Sequence, residues 1–142
     1  MSDGLVVARA TVRHGTATIL DNVGFSVPRG SMCAIAGPNG AGKTTLLHLI
    51  LGLLPEAAGG VRFGGADLRA MPRAERARIV AFVEHAARTD LPYAARDVVM
   101  LGRIPHGDTD AHAAAAADRS LALVGLGALA DRSWQSLSGG EQ

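Results

Sequence analysis

Cysteine is almost missing from this chain. Cys33 is the single one in 142 residues, which excludes a disulfide framework and a four-thiolate zinc site. An excess of one charge is missing too. Fourteen Lys+Arg face 13 Asp+Glu, a formal +1. A dedicated nucleic-acid binder shows a strong basic surplus, so no nucleic-acid partner is expected. Long apolar runs are absent. The longest, Leu46 to Leu54, is interrupted by His48 and falls far short of the ~20 residues that cross a bilayer. Met1-Ser2-Asp3-Gly4 carries no basic stretch leading into an apolar one, so no secretory leader is expected. What is present is enough for a core: 48% hydrophobic and 19% charged residues read as one soluble, intracellular globular domain.

Lysine is the scarcest charge. Lys43 stands alone beside 13 Arg. Arg offers a planar fork and Lys a compact point charge, so the one position that keeps Lys draws attention to its chemistry.

Along the chain, Leu5 to Val12 alternates partly and reads as a strand ending at His14-Gly15. Ile19 to Val27 reads as a second strand, turned by Pro28-Arg29-Gly30. Ser31-Met32-Cys33-Ala34-Ile35-Ala36 is a short apolar run before a Gly-rich loop, the pattern of a buried strand. Lys43 to Leu53 has helical length, stopped by Pro55 and Gly59-Gly60. Val61-Arg62-Phe63-Gly64-Gly65 suggests a strand and tight turn, Pro72 to Arg78 a short helix, and Ile79 to Val83 a β-branched-rich strand. His85 to Pro92 reads as a loop and Arg96 to Gly102 as helical. Asp108 or Thr109 would cap an Ala-rich helix from Asp110 to Val124, ended by Gly125 and Gly127. Strands first and helices later indicate an α/β chain with a helical insertion.

Gly37-Pro38-Asn39-Gly40-Ala41-Gly42-Lys43-Thr44 matches G-x-x-x-x-G-K-S/T, the P-loop. Its glycines let backbone N–H groups wrap phosphate oxygens where a Cβ would block approach. The helix that follows turns its positive end to the same anion. Lys43 would reach the β- and γ-phosphates, and the Thr44 hydroxyl would sit on Mg²⁺. Roughly 95 residues downstream lies Leu137-Ser138-Gly139-Gly140-Glu141-Gln142, a Ser-Gly-Gly turn of the kind that makes a further anion site.

That segment is similar to the LSGGQ signature of ATP-binding cassette (ABC) ATPases, and the residues between the two motifs resemble the same family. Ile19-Leu20-Asp21-Asn22-Val23 and Val27-Pro28-Arg29-Gly30 look like its approach to the P-loop. Gly60 to Gly65 with Asp67-Leu68 look like the segment that follows. Arg96-Asp97-Val98-Val99-Met100-Leu101-Gly102-Arg103-Ile104-Pro105-His106 resembles the stretch found in ATPases of iron–siderophore, haem and cobalamin importers. The resemblance implies an α/β fold: a P-loop NTPase core with an N-terminal antiparallel β-subdomain and a helical subdomain, here incomplete. Residues 1–84 would hold the β-subdomain and P-loop core, and residues 85–142 the helical subdomain. It further implies ATP and Mg²⁺ as cofactors, with Gly37, Pro38, Asn39, Gly40, Ala41, Gly42, Lys43, Thr44 and Thr45 around the phosphates. Ser138, Gly139 and Gly140 would face the nucleotide of a second ATP-binding subunit paired head to tail. Transmembrane permease subunits are the other implied partners, which would place the protein on the cytoplasmic face of a membrane. The rival readings are a soluble ABC ATPase without a membrane partner and a P-loop small-molecule kinase; the importer-like stretch and the signature turn count against them.

Three departures from the family pattern stand out. His85 falls where the Q-loop glutamine is expected, with Glu84 as the neighbouring alternative and a solvent-facing loop as the other reading. His14 falls where an aromatic stacks on adenine; an imidazole also stacks on a base, and the alternative is a surface histidine at a strand end. The third concerns Gln142: no following segment supplies the Walker B carboxylates or the switch histidine. These 142 residues are therefore expected to be an N-terminal part that does not hydrolyse ATP. Ala128-Leu129-Ala130-Asp131 reads as a helix end and turn rather than a substitute. Tyr93 and Trp134 read as packing aromatics.

Overall fold

A computed structural model describes residues 4–83 and 92–142. The chain divides into two compact units, Met1–Arg76 and Ala77–Gln142.

The first unit is built on a four-stranded sheet in the order β2-β1-β3-β4, comprising β1 (Leu5–His14), β2 (Ala17–Val27), β3 (Ala58–Phe63) and β4 (Ala66–Asp67). Every pairing is antiparallel. β1 runs from Leu5 opposite Val27 to His14 opposite Ala17, and on its other edge Val7 faces Val61. Val7, Ala10 and Val12 are all buried, although strict alternation would put Ala10 on the face opposite Val7. A bulge resolves this. Arg9 and Asn22 both adopt φ 49°, the register shifts between Val7 and Ala10, and the Asn22 N–H donates to Thr11 Oγ1 at 3.1 Å. The extra residue returns the later positions of β1 to the core.

Helix α1 (Lys43–Ile50) packs on β2 through buried Leu46 and Leu49, each worth ~1.5–3 kcal/mol of burial. It ends earlier than the expected Leu53. Gly52 is left-handed at φ 68°, its N–H reaches Leu49 O at 2.9 Å, and the Leu53 N–H reaches His48 O at 2.9 Å. That is a Schellman closure, so the glycine, not Pro55, stops the helix. Short α2 (Arg73–Ala77) follows, and Arg76 donates to Leu68 O.

Two expected strands are not formed. Residues 31–36 form no regular structure and lie exposed, Met32 at 99% and Ile35 at 39%. Ile79–Val83 is likewise not a strand, with Val83 at 90% exposure. Apolar and β-branched composition favours a strand only where another strand accepts its hydrogen bonds. Among the described residues neither segment has such a neighbour.

In the second unit, α3 (Ala95–Leu101) packs on α4 (Asp110–Leu123). α4 buries Ala113, Ala117 and Leu121, a stripe at four-residue spacing. Of the two caps the sequence allowed, Thr109 is used: its hydroxyl accepts from the His112 N–H at 3.4 Å. Asp108 instead accepts from Arg103 Nε at 2.7 Å. The apolar centre joins Ala95, Trp134 and Leu137, with Val98 and Leu129 against them. Trp134 is thus a packing residue. Residues Gly127–Leu129 form a 3₁₀ turn, in line with the turn expected around Ala128–Asp131. Asp131 pairs with Arg96, which also holds Asp118 at 2.7 Å; the hydrogen bond to Asp118, then the charges of both partners, raise the Arg96 pKa further. Among the described residues no helix is long and apolar enough to cross a membrane.

Candidate nucleotide-binding site

The P-loop is shaped by a conflict between β2 and the start of α1. Gly42 caps α1 with φ 85° and no side-chain cap bond. A Cβ there would lie 3.0 Å from Leu20 Cδ2 and 3.1 Å from Ile19 O, so only glycine brings the helix start this close to the strand. The first N–H groups of a helix have no intrahelical acceptor. In α1 these belong to Lys43, Thr44 and Thr45, since Leu46 N–H is the first to bond back, to Gly42 O at 2.8 Å. Without a side-chain cap they remain donors for an anion, aided by the positive end of the helix.

Lys43 is oriented by the loop itself. Its ammonium donates to Gly37 O and Pro38 O, both at 2.8 Å, while the Ala41 N–H closes back on Pro38 O at 3.3 Å. The side chain therefore folds over the loop rather than away from it.

These residues open onto a cleft of about 590 Å³. Its lining comes from the P-loop and α1, with Asn39, Gly40, Gly42, Lys43, Thr44, Thr45 and His48, and from β1 and β2, with Val12, Arg13, His14, Ala17 and Ile19. Leu54 and Glu56 also line it. The β1–β2 hairpin thus carries His14 into the cleft that holds Lys43 and Thr44. Arg13, His48 and Glu56 share it but belong to no motif; only the fold brings them there. A cleft lined by an ammonium, the start of a helix and an imidazole offers groups of the kind that a phosphate and a flat ring would use.

At the other motif, Ser138 is held by its neighbour. Its N–H and its hydroxyl both donate to Glu141 Oε2, each at 2.7 Å. The Glu141 and Gln142 N–H groups return to Ser138 O at 2.9 and 3.0 Å. This closes the backbone half of a capping box, with the glutamate reaching back to the first residue's N–H. Ser138-Gly139-Gly140-Glu141 carries the S-x-x-E spacing of that device, a local signal that the signature motif overlies. These bonds, backbone first, hold the Glu141 carboxyl below its ordinary range, with Arg132 adding to the effect. A Cβ built on Gly139 or Gly140 would meet nothing within 4 Å, so the turn is open on that side. The remaining candidates, Glu84 and His85, lie outside the described residues.

The Gly37–Thr44 motif at the head of α1 places the chain in the P-loop class. Comparison with known proteins narrows the class: residues 20–142 match the ABC transporter family, and the chain belongs to it. It is 37% identical over 131 residues to the hemin import ATP-binding protein HmuV of Pseudomonas entomophila (strain L48), covering 92% of this chain and 51% of that protein. It is 40% identical over 129 residues to the cobalamin import ATP-binding protein BtuD of Halobacterium salinarum (strain ATCC 29341 / DSM 671 / R1), covering 87% and 32%. Among solved structures, a nucleotide-free ATP-binding cassette from an ABC transporter superposes with a TM-score of 0.81 at 27% identity, covering 97% of this chain and 60% of that one. The ADP conformation of the cassette MJ1267 gives 0.78 at 27% identity, with the same 97% and 60%. The chain spans about half the length of the HmuV protein and less of BtuD. The cassette fold expected from the sequence is therefore the one observed.

Proposed function

We propose that this protein is the ATP-binding subunit that powers an ABC importer, with a cargo of the iron–siderophore, haem or cobalamin kind. The observation that carries the proposal is the cleft in which the Lys43 ammonium, the uncapped start of α1 and His14 face one volume. The hemin and cobalamin import ATP-binding proteins among its relatives support the cargo class, as does the Arg96 to His106 segment. In this reading Gly37 to Thr45 hold the phosphates, Thr44 ligates Mg²⁺, and His14 stacks on the base. Ser138, Gly139 and Gly140 address the γ-phosphate bound by a second subunit, and His85 takes the Q-loop position. Bound nucleotide supplies the phosphoryl group; the chain's own part is to position it and neutralise its charge, the main requirement of this transfer. Permease subunits in the membrane would receive the work on their cytoplasmic side.

Calorimetry of ATP binding to the complete protein and its Lys43→Ala variant tests this. Charge-assisted bonds to phosphate are worth roughly 1.5–3 kcal/mol each, so the variant should bind at least about tenfold more weakly. Lys43→Arg should also weaken binding, because a planar fork does not replace a compact ammonium enclosed by the loop carbonyls. Unchanged affinity in Lys43→Ala overturns the assignment.

A further inference from the structure

Resting on the function proposed above, we infer that Glu141 is the positioning residue for Ser138, and that nucleotide reaches this turn only by displacing the Glu141 carboxylate. The two donors that Ser138 can offer an anion, its N–H and its hydroxyl, both point at one oxygen, Glu141 Oε2, at 2.7 Å. A hydroxyl has one hydrogen and a backbone amide one. Neither can serve the carboxylate and a phosphate oxygen at full strength together. Anion binding here is therefore an exchange of one negatively charged acceptor for another.

The surroundings fit an exchange rather than a permanent tie. The turn is exposed at Ser138, Gly139 and Gly140, and both glycines face open space, so an incoming phosphate meets no steric barrier. The frame survives the exchange, because the Glu141 and Gln142 N–H groups bond the Ser138 carbonyl. The Gln142 amide also donates to Trp134 O at 2.9 Å. Arg132, whose charge acts on Glu141, offers the released carboxylate a cationic neighbour. Glu141 keeps both donors aligned while no phosphate is present, and sets how much phosphate is needed to take them.

The test uses the complete protein with a non-hydrolysable ATP analogue. Pairing of subunits is followed by sedimentation velocity across analogue concentrations, and analogue binding to the P-loop by calorimetry. Charge-assisted hydrogen bonds are about twice as strong as neutral ones, and a carboxamide still fills the same space. Glu141→Gln should thus lower the half-saturating analogue concentration for pairing about fivefold, with P-loop affinity unchanged and the thermal midpoint no higher than the parent's. A merely structural cap would do the opposite, because weakening it would loosen the turn and raise that concentration. Equal or weaker pairing by Glu141→Gln, while Ser138→Ala impairs pairing of the parent protein, overturns the role of Glu141 alone. If Ser138→Ala leaves pairing unaffected, the proposed use of this turn falls, and the inference about Glu141 falls with it.

Discussion

Replacing Gly42 by alanine adds one methyl group where two independent costs meet. The backbone sits at φ 85°, a left-handed conformation that costs an L-residue with a Cβ ~1–2 kcal/mol. The new Cβ would also stand 3.0 Å from Leu20 Cδ2, 3.1 Å from Ile19 O and 3.3 Å from Ile19 Cγ2. Leu20 can rotate away, but the Ile19 carbonyl belongs to β2 and cannot move without disturbing the sheet. Overpacking of this kind costs about 1–3 kcal/mol, so the total is roughly 2–5 kcal/mol. Gly40 supplies the internal control. It has φ 82°, and a Cβ at this position would meet nothing within 4 Å, so Gly40→Ala should lose only the backbone part, ~1–2 kcal/mol. Denaturant midpoints of the complete protein without nucleotide read the difference directly. ATP affinity should fall in Gly42→Ala as well, because a displaced helix start carries the N–H groups of Lys43, Thr44 and Thr45 with it. Equal destabilisation by the two substitutions would refute the close approach of β2 to the loop. A neutral Gly42→Ala would refute the left-handed cap itself.

Trp134→Ala removes the largest side chain from the centre formed with Ala95 and Leu137 and should destabilise the complete protein by about 3–5 kcal/mol, read by thermal or denaturant unfolding. The Arg103 hydrogen bond, aided by the charge of the same group and of His106 and His112, lowers the Asp108 pKa. Its contribution to stability is thus full above the ordinary aspartate value of ~3.9 and is lost as pH falls through the depressed value. Arg103→Met should remove that part of the acid dependence in melting profiles taken between about pH 2 and 5; an unchanged profile counts against the pair. A polypeptide of just these 142 residues should release phosphate from ATP only at background, since Glu56 is the one carboxylate lining the described cleft and phosphoryl transfer needs several charges positioned together. Steady, Lys43-dependent release would show that Glu56 or Glu84 supplies that chemistry.

Local chemistry is enough to read much of this protein from its residues in order. The P-loop is legible because glycine spacing, a single lysine and a following helix are all short-range features, and phosphate binding asks for little else. The β1–β2 hairpin and α4 are legible for the same reason, each carrying its own turn or cap. The folded structure decided what depends on a partner that periodicity and motifs do not name, whether near in sequence or distant. Residues 31–36 have the composition of a buried strand and yet lie exposed, because a strand is completed by the hydrogen bonds of another. Thr109 rather than Asp108 caps α4 because Arg103 claims the aspartate. His14, Arg13 and Glu56 meet Lys43 only because the sheet and α1 fold together around one cleft. The choice between Gly52 and Pro55 as the end of α1 turned on two carbonyls that only the folded helix presents. Periodicity and motifs report what a segment can do alone; pairing partners, competing ligands and shared clefts exist only once the chain has closed on itself.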